Sequence, residues 1–315
     1  MPKVSVIITT YNLSYMVGQA VESVLGQSMT DFELIIVDDG STDNTREVIK
    51  KFVDKRIKYF YKDNGGVASA RNFGIKNSSS DFVAFLDDDD LWPPDYLAVM
   101  LGALEKSDDY GVAYCAPTQI YPDGRKEESF RVKNCLSGWL TRALFNKSFL
   151  WCQGTIFRAS VLAGFKWDES LKTCSDTDFF LRISRKTKFL FVKEVEIIRR
   201  VRKDSISVHG FSKNVNCNKI RVLERFYRQY GSEFITEREA RRCLSRFCRA
   251  FAKRHRLFEM RKAAICLFQR ALSYDPYSIK AYRGLAMTLL SGKNRDKAPE
   301  WEFPEPLQPI DDNIG

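Results

Sequence analysis

Four consecutive aspartates, Asp87 to Asp90, follow the apolar run Phe82-Val83-Ala84-Phe85-Leu86. The run has the length and the aromatic, β-branched character of a buried strand. Trp92-Pro93-Pro94 ends it before a helical pattern of Tyr96, Leu97, Met100, Leu101 and Leu104. Carboxylates fixed together at a strand's end repel one another unless a cation or hydrogen-bond donors compensate. Carboxylates are also the ligands that Mg²⁺ or Mn²⁺ prefers, and these ions usually share their site with substrate phosphates. A solvated acidic loop is the alternative. A second acidic pair, Asp38-Asp39, follows the apolar run at 32–37.

The elements that must position these groups alternate. Strand patterns at 4–8, 32–37, 57–61 and 82–86 are separated by helical ones. The first helix carries Val17, Ala20, Val21, Val24 and Leu25. The second continues through Val48, Ile49 and Phe52 after the N-cap-rich Ser41-Thr42-Asp43-Asn44. The third runs over 67–75 behind Gly65-Gly66. This βαβαβαβ order predicts a doubly wound α/β sheet with both faces covered, whose ligands sit at the strands' carboxyl ends. Residues 111–210 are less regular, with strands at 111–120, 155–157 and 190–192, a helix at 178–184, and a loop over 127–139. Residues 215–290 read as all-helical. The stripes Ala264, Leu267, Phe268, Ala271, Leu272 and Ala281, Leu285, Leu289 resemble one tetratricopeptide-type hairpin, too few for a solenoid, so the segment reads as a helical appendage. The tail from Ala298 on holds four of the ten prolines and is expected to be extended or mobile.

At 315 residues, with 44% hydrophobic and 29% charged residues, the chain is a globular protein able to bury a core without staples. Met1-Pro2-Lys3 leads straight into a strand, so no signal peptide is expected. No apolar stretch approaches the roughly 20 residues of a membrane span. Eight cysteines without a C-x-x-C pair, and only two histidines, argue against zinc and suit a reducing cytosol. The net charge of +10 belongs to residues 219–270, which hold 15 Lys/Arg against 5 Glu; the remainder is neutral.

Several motifs stand in one order. Val4-Ser5-Val6-Ile7-Ile8-Thr9-Thr10-Tyr11-Asn12 comes first, then Ile36-Val37-Asp38-Asp39-Gly40-Ser41-Thr42-Asp43. Asn64-Gly65-Gly66-Val67 with Ala70-Arg71-Asn72 follows, then Phe85-Leu86-Asp87-Asp88-Asp89-Asp90-Leu91-Trp92. Together they resemble the family-2 glycosyltransferases, which have the GT-A fold. The resemblance continues through Gly164-Phe165-Lys166-Trp167-Asp168-Glu169 and Ser175-Asp176-Thr177-Asp178, covering about residues 3–207. It implies a GT-A-like, mixed, mostly parallel sheet. Residues 1–110 would bind a nucleotide sugar and 111–214 would form the acceptor side of the same domain. Residues 215–297 would be a basic helical region and 298–315 a mobile tail. It implies that Asp87 and Asp89 hold Mn²⁺ or Mg²⁺, with Asp88 at a ribose or metal-shell position. It further implies that Asp39, Thr9 and Tyr11 hold the nucleoside, that Arg71 lies near the nucleotide, and that Asp176 is the general base of an inverting transfer. The donor would be a nucleoside-diphosphate sugar, UDP-linked by family habit, and the acceptor a hydroxyl of a saccharide, lipid or protein.

The chemistry asks for these residue types. Breaking an anomeric bond leaves negative charge on a diphosphate, which a carboxylate-held cation stabilises, and the acceptor hydroxyl needs a base. Two positions depart from the family pattern. Ser175 replaces the acid that often precedes the base, and Arg202 stands where some members carry a metal-binding histidine. We expect Arg200 or Arg202 to contact the diphosphate, because a guanidinium matches phosphate oxygens bidentately. His209 reads as plain loop. Trp139 and Trp151 are candidates for stacking on sugar. Arg241, Arg242, Arg246, Arg249, Lys253, Arg254 and Arg256 alternate with Leu244, Phe247, Phe251 and Leu257 in an amphipathic pattern. That pattern is a solvated face or a contact with an anionic membrane surface; no nucleic-acid module is present. A non-catalytic nucleotide-sugar-binding or scaffold protein is the alternative function. The absence of a G-x-G-x-x-G after any strand argues against a dinucleotide dehydrogenase.

Overall fold

The computed structural model describes residues 1–128, 136–202, 215–291 and 304–310. Met1–His209 and Gly210–Ile310 form two compact units. His209 lies outside the described residues.

The first unit is built on one eight-stranded sheet of order β3-β2-β1-β4-β7-β5-β6, with β8 on the other edge of β5. The strands β1 (Val4–Thr10), β2 (Phe32–Asp38), β3 (Ile57–Tyr61) and β4 (Phe82–Asp87) are mutually parallel. β7 (Thr155–Arg158) adds to β4 antiparallel, and β5 (Tyr110–Ile120) adds to β7 antiparallel. β6 (Lys126–Glu128) pairs antiparallel with the far end of β5, while β8 (Lys188–Arg200) runs parallel to it with two register shifts. The short apolar run at 190–192 thus belongs to a thirteen-residue strand. Its polar half was unreadable as strand because its backbone is paired by a distant segment.

Every residue of β1 and β2 is buried, so both faces carry helices. On one face Val4, Val6, Ile8, Ala84 and Leu86 pack with α1 (Ser14–Leu25) and α4 (Tyr96–Leu104). Alternation along the strands sends Ile7, Phe85 and Asp87 to the other face. There α3 (Val67–Lys76) approaches β1 so closely that a Cβ on Gly74 would stand 2.5 Å from Ile7 Cγ2. Phe85 meets the Trp167 ring edge-on at 5.0 Å, and Trp167 stacks on Phe179 at 3.5 Å. Phe179 lies on α7 (Ser175–Ile183). Short helices α2 (Thr45–Ile49), α5 (Thr141–Asn146) and α6 (Ala159–Leu162) complete the unit. The seven described cysteines are all free thiols.

The second unit holds α8 (Val215–Phe226), extended by a π-turn at Tyr227–Gly231, then α9 (Glu237–Leu257), α10 (Arg261–Tyr274) and α11 (Ile279–Leu290). Thr236 and Glu239 form a capping box that starts α9. The hairpin predicted over 264–289 is α10 with α11. Residues 304–310 run along α8, where Arg221 donates to Glu305 O, Arg225 to Gln308 O at 3.2 Å and Gln229 to Ile310 O at 3.2 Å. This part of the expected mobile tail is pinned, because arginines supply donors to a backbone that forms no regular element. The rest of the tail lies outside the described residues. Among the described residues no helix is long and apolar enough to cross a membrane.

Candidate active site

The site forms where β1, β2 and β4 end. Thr9 pairs across to both Val37 and Asp87, so the tips of three strands lie side by side. Thr9 and Asp87 lie at strand ends, Tyr11, Asp39, Asp88 and Asp89 in the loops that follow, Arg71 on α3 and Asp176 at the start of α7. Asn12, with φ 51°, accepts from Thr42 N at 2.7 Å and Asp43 N at 3.3 Å, and its own N–H donates to Ser41 Oγ at 2.9 Å. This ties the loop after β1 to the loop after β2. Asp38 is buried and accepts from Tyr59 Oη and Ser41 N. Asp39, only 3% exposed, accepts from Lys62 Nζ at 2.6 Å, Gly65 N at 3.0 Å and Gly66 N at 2.7 Å. It therefore holds the loop that leads into α3. Gly40 turns the chain there at φ +87°, with Asn64 N 2.9 Å from where a Cβ would be. Thr9 is buried and Tyr11 is 51% exposed, so Tyr11 is not core.

The centre of the site is Arg71 on α3, 4% exposed. Its Nη1 donates to Asp176 Oδ1 at 2.5 Å and its Nη2 to Asp87 Oδ1 at 2.9 Å. Burial works against its charge, but the carboxylates of Asp176 and Asp87 outweigh this and hold its pKa above the usual arginine value. The Trp167 ring lies beneath the guanidinium, 5.5 Å away, and Trp167 Nε1 reaches Asp176 Oδ1 at 3.4 Å. Asn72 fixes that tryptophan by exchanging bonds with its backbone N and O at 2.8 and 3.0 Å. Asp176 does not cap its helix: Cys174, left-handed at φ 64°, precedes α7, and no side chain caps it. Ser175 is buried at the first position of the helix.

The acidic run divides by role. Carboxylate oxygens of Asp87, Asp89 and Asp90 lie within 4.8 Å of one another. Both oxygens of Asp90 are engaged, by Arg200 N and by Gln153 Nε2, each at 2.9 Å. Asp90 thus fastens β8 to the loop, next to the bridge Leu91–Ile198. Asp88 accepts from Tyr11 N at 3.4 Å. Burial, then the charges of Asp89 and Asp87, push Asp88 up to about 7. Burial and the Asp87 charge likewise raise Asp89 in spite of Arg202. Clustered, partly desolvated oxygen donors raised by mutual repulsion are what a hard divalent cation relieves, so the donor set fits Mg²⁺ or Mn²⁺.

Arg200, the last residue of β8, and Arg202, two residues beyond it, flank this cluster. Arg200 donates to Asp89 O and Gln19 Oε1, and its buried Nη2 has no acceptor among the described protein atoms. Arg202 donates to Asp89 Oδ2 and Tyr15 Oη, each at 3.0 Å. The sequence did not signal Asn12, Lys62 or Gln153 as supports, because each acts through a partner at least 20 residues away. Trp139 is 59% exposed, while Trp151 is half-buried.

The sequence profile of glycosyl transferase family 2 matches residues 5–168, just over half of the chain. The chain belongs to this family. Its glycosyl transferase relatives include an uncharacterized glycosyltransferase of Rickettsia typhi, 35% identical over 209 residues, 64% of each chain. An uncharacterized glycosyltransferase of Rickettsia felis is 49% identical over 108 residues. That match covers 33% of this chain and only 18% of the relative's length. Among solved structures, S. aureus TarS 1-349 in complex with UDP-GlcNAc superposes with a TM-score of 0.60 at 20% identity, covering 92% of both chains. The Pyrobaculum calidifontis mannosyltransferase PcManGT, in complex with GDP-Man and Mn²⁺, gives 0.55 at 16% identity, covering 93% of this chain and 88% of its own. The parallel β3-β2-β1-β4 core with its antiparallel extension and C-terminal helices is a GT-A fold.

Proposed function

We propose that this glycosyl transferase moves a sugar from a nucleoside-diphosphate sugar, UDP-linked, to a hydroxyl of a saccharide or lipid-linked acceptor, with inversion. The observation that carries this is the buried Arg71 fork, which holds Asp176 and Asp87 together at the sheet's carboxyl edge. UDP-GlcNAc bound to one structural neighbour, and GDP-Man with Mn²⁺ to another, support the donor class.

Asp87 and Asp89 would hold Mn²⁺ or Mg²⁺, which supplies positive charge to a departing diphosphate. Asp39, Thr9 and Tyr11 form the nucleoside end, with Asp88 beside Tyr11. Arg200 and Arg202 bring guanidinium donors to the diphosphate side. Asp176 takes the acceptor proton. Its Oδ1 is occupied by Arg71 and Trp167, which orients the carboxylate and leaves Oδ2 to accept. Arg71 sets a permanent positive charge against that carboxylate.

A thermal-shift panel of nucleoside-diphosphate sugars with and without Mn²⁺ tests the reading. We expect one donor to raise the melting temperature, more with the metal present. No shift with any donor would end it. The contact of Arg202 with Asp89 favours, as a second reading, a protein that binds donor without transferring it. Release of nucleoside diphosphate on incubation with donor, Mn²⁺ and acceptor candidates separates the two.

A further inference from the structure

The amphipathic pattern of α9 allowed a solvated face or a membrane contact. Of the stripe Leu244, Phe247, Phe251 and Leu257, the first is buried, the next two are half-buried and Leu257 is exposed, while the neighbouring small residues fill the second unit's core. Ala240, Cys243, Leu244, Cys248 and Ala252 are all buried. Arg241 is also committed: it donates to Ser273 O and Tyr274 O, closing the end of α10. One exposed apolar patch lies at a tip of the unit, at the other end of α11 from the exposed Tyr277 and Ile279. Leu257 ends α9 and is 70% exposed, and Phe258, the next residue, is 56% exposed. The turn that presents them is held by Phe258 N to Arg254 O at 3.2 Å and Met260 N to His255 O at 2.9 Å. Arg261 Nη2 donates to Leu289 O at 2.6 Å, which brings this turn against the last turn of α11. There Leu289 is 50% and Leu290 86% exposed.

Four large apolar side chains therefore crown the tip. The chain around them, 253–262, carries Lys253, Arg254, Arg256, Arg261 and Lys262 against the single acid Glu259. A soluble core would bury such leucines, and a second copy of this chain would bring a like-charged tip against it. The complementary surface is anionic outside and apolar within, which describes a bilayer with acidic headgroups. We infer that this tip docks the protein on an anionic lipid surface, inserting Leu257, Phe258, Leu289 and Leu290 while the cations meet the headgroups.

Co-sedimentation of the full chain with phosphatidylcholine vesicles, with and without phosphatidylglycerol, tests this. We expect binding only to the phosphatidylglycerol vesicles, released by high salt. Leu257→Ser with Leu290→Ser should weaken binding about tenfold or more, the effect of one buried leucine. Lys253→Glu with Arg256→Glu should do the same, since each lost cation is worth about fivefold. Both pairs belong to the second unit, and the donor-site residues to the first. If the leucine variant misfolds by circular dichroism, Phe258→Trp reads the same contact: its added fluorescence should be quenched by brominated lipid in anionic vesicles. The inference is overturned by no binding at low salt, by equal binding to neutral vesicles, by variants that bind like wild type, or by an introduced indole that brominated lipid leaves unquenched. A concentration-dependent dimer abolished by the leucine substitutions would also overturn it, assigning the tip to a second copy.

Discussion

At the residue scale, the site depends on one guanidinium serving two carboxylates. Asp176→Asn keeps an oxygen for Arg71 and Trp167, so fold and donor affinity should survive while the proton acceptor is lost. The expected outcome is a fall in kcat of about 10²–10⁴-fold with donor binding unchanged, measured by nucleoside diphosphate release and by titration. Arg202 belongs to the other end of the reaction. With its Nε on Asp89 Oδ2, it would, on the proposed reading, stand in for a cation until donor and metal arrive. Arg202→Ala should raise the KM for donor about tenfold or more, the loss of one charge-assisted phosphate contact. In the same variant, Mn²⁺ binding without donor, followed by electron paramagnetic resonance, should tighten because a competitor for Asp89 is gone.

At the element scale, the parallel strands are stitched at the edge remote from the site. Glu33 on β2 accepts from Ser5 Oγ on β1 at 2.6 Å, from Ser79 N before β4 at 3.1 Å, and from Lys58 Nζ on β3. Burial alone would raise its carboxyl, but Lys58, Ser5 and Ser79 outweigh burial and hold it below the ordinary value of 4.5. A depressed folded pKa means the contribution is full above the unfolded value and is lost as pH falls through the folded one. Glu33→Gln should lower stability at neutral pH by about 1–3 kcal/mol, as for a broken buried network. In urea titrations the gap between variant and wild type should close as pH falls below 4.5. The contact of α3 with β1 is equally specific. Gly74→Ala drives a methyl into Ile7, and thermal melts should show a loss of about 1–3 kcal/mol from overpacking. Because α3 carries Arg71, donor hydrolysis should fall with it.

At the scale of the whole molecule, two units with separate cores should not unfold as one. The first buries its residues around a sheet; the second buries Cys217, Leu223, Cys248 and Leu267 among helices. Scanning calorimetry should resolve two components, with a calorimetric enthalpy exceeding the van't Hoff value. UDP with Mn²⁺ should move only the component that belongs to the first unit, because a ligand stabilises the fold that binds it. A single transition shifted as a whole would show one cooperative body.

The parallel half of the sheet was legible because its signals are local. Short apolar runs, acids at strand ends and glycines before helices are each written within a few neighbouring residues, so β1 to β4 and the carboxylates at their tips follow from the chain itself. The family pattern likewise named Arg71 and Asp176 as site residues. What the sequence could not contain was their meeting. Arg71 reaches Asp176 across 105 positions, and only the packing of α3 and α7 on the same face of the sheet brings them together. The polar half of β8, the fastening role of Asp90 and the posts of Arg200 and Arg202 depend on pairing with β5 and on the Leu91–Ile198 bridge. The basic stripe of α9 makes the same point in reverse. Local periodicity announces an apolar face, but which surface covers that face is settled by its neighbours in space, and those are chosen by the folded chain as a whole.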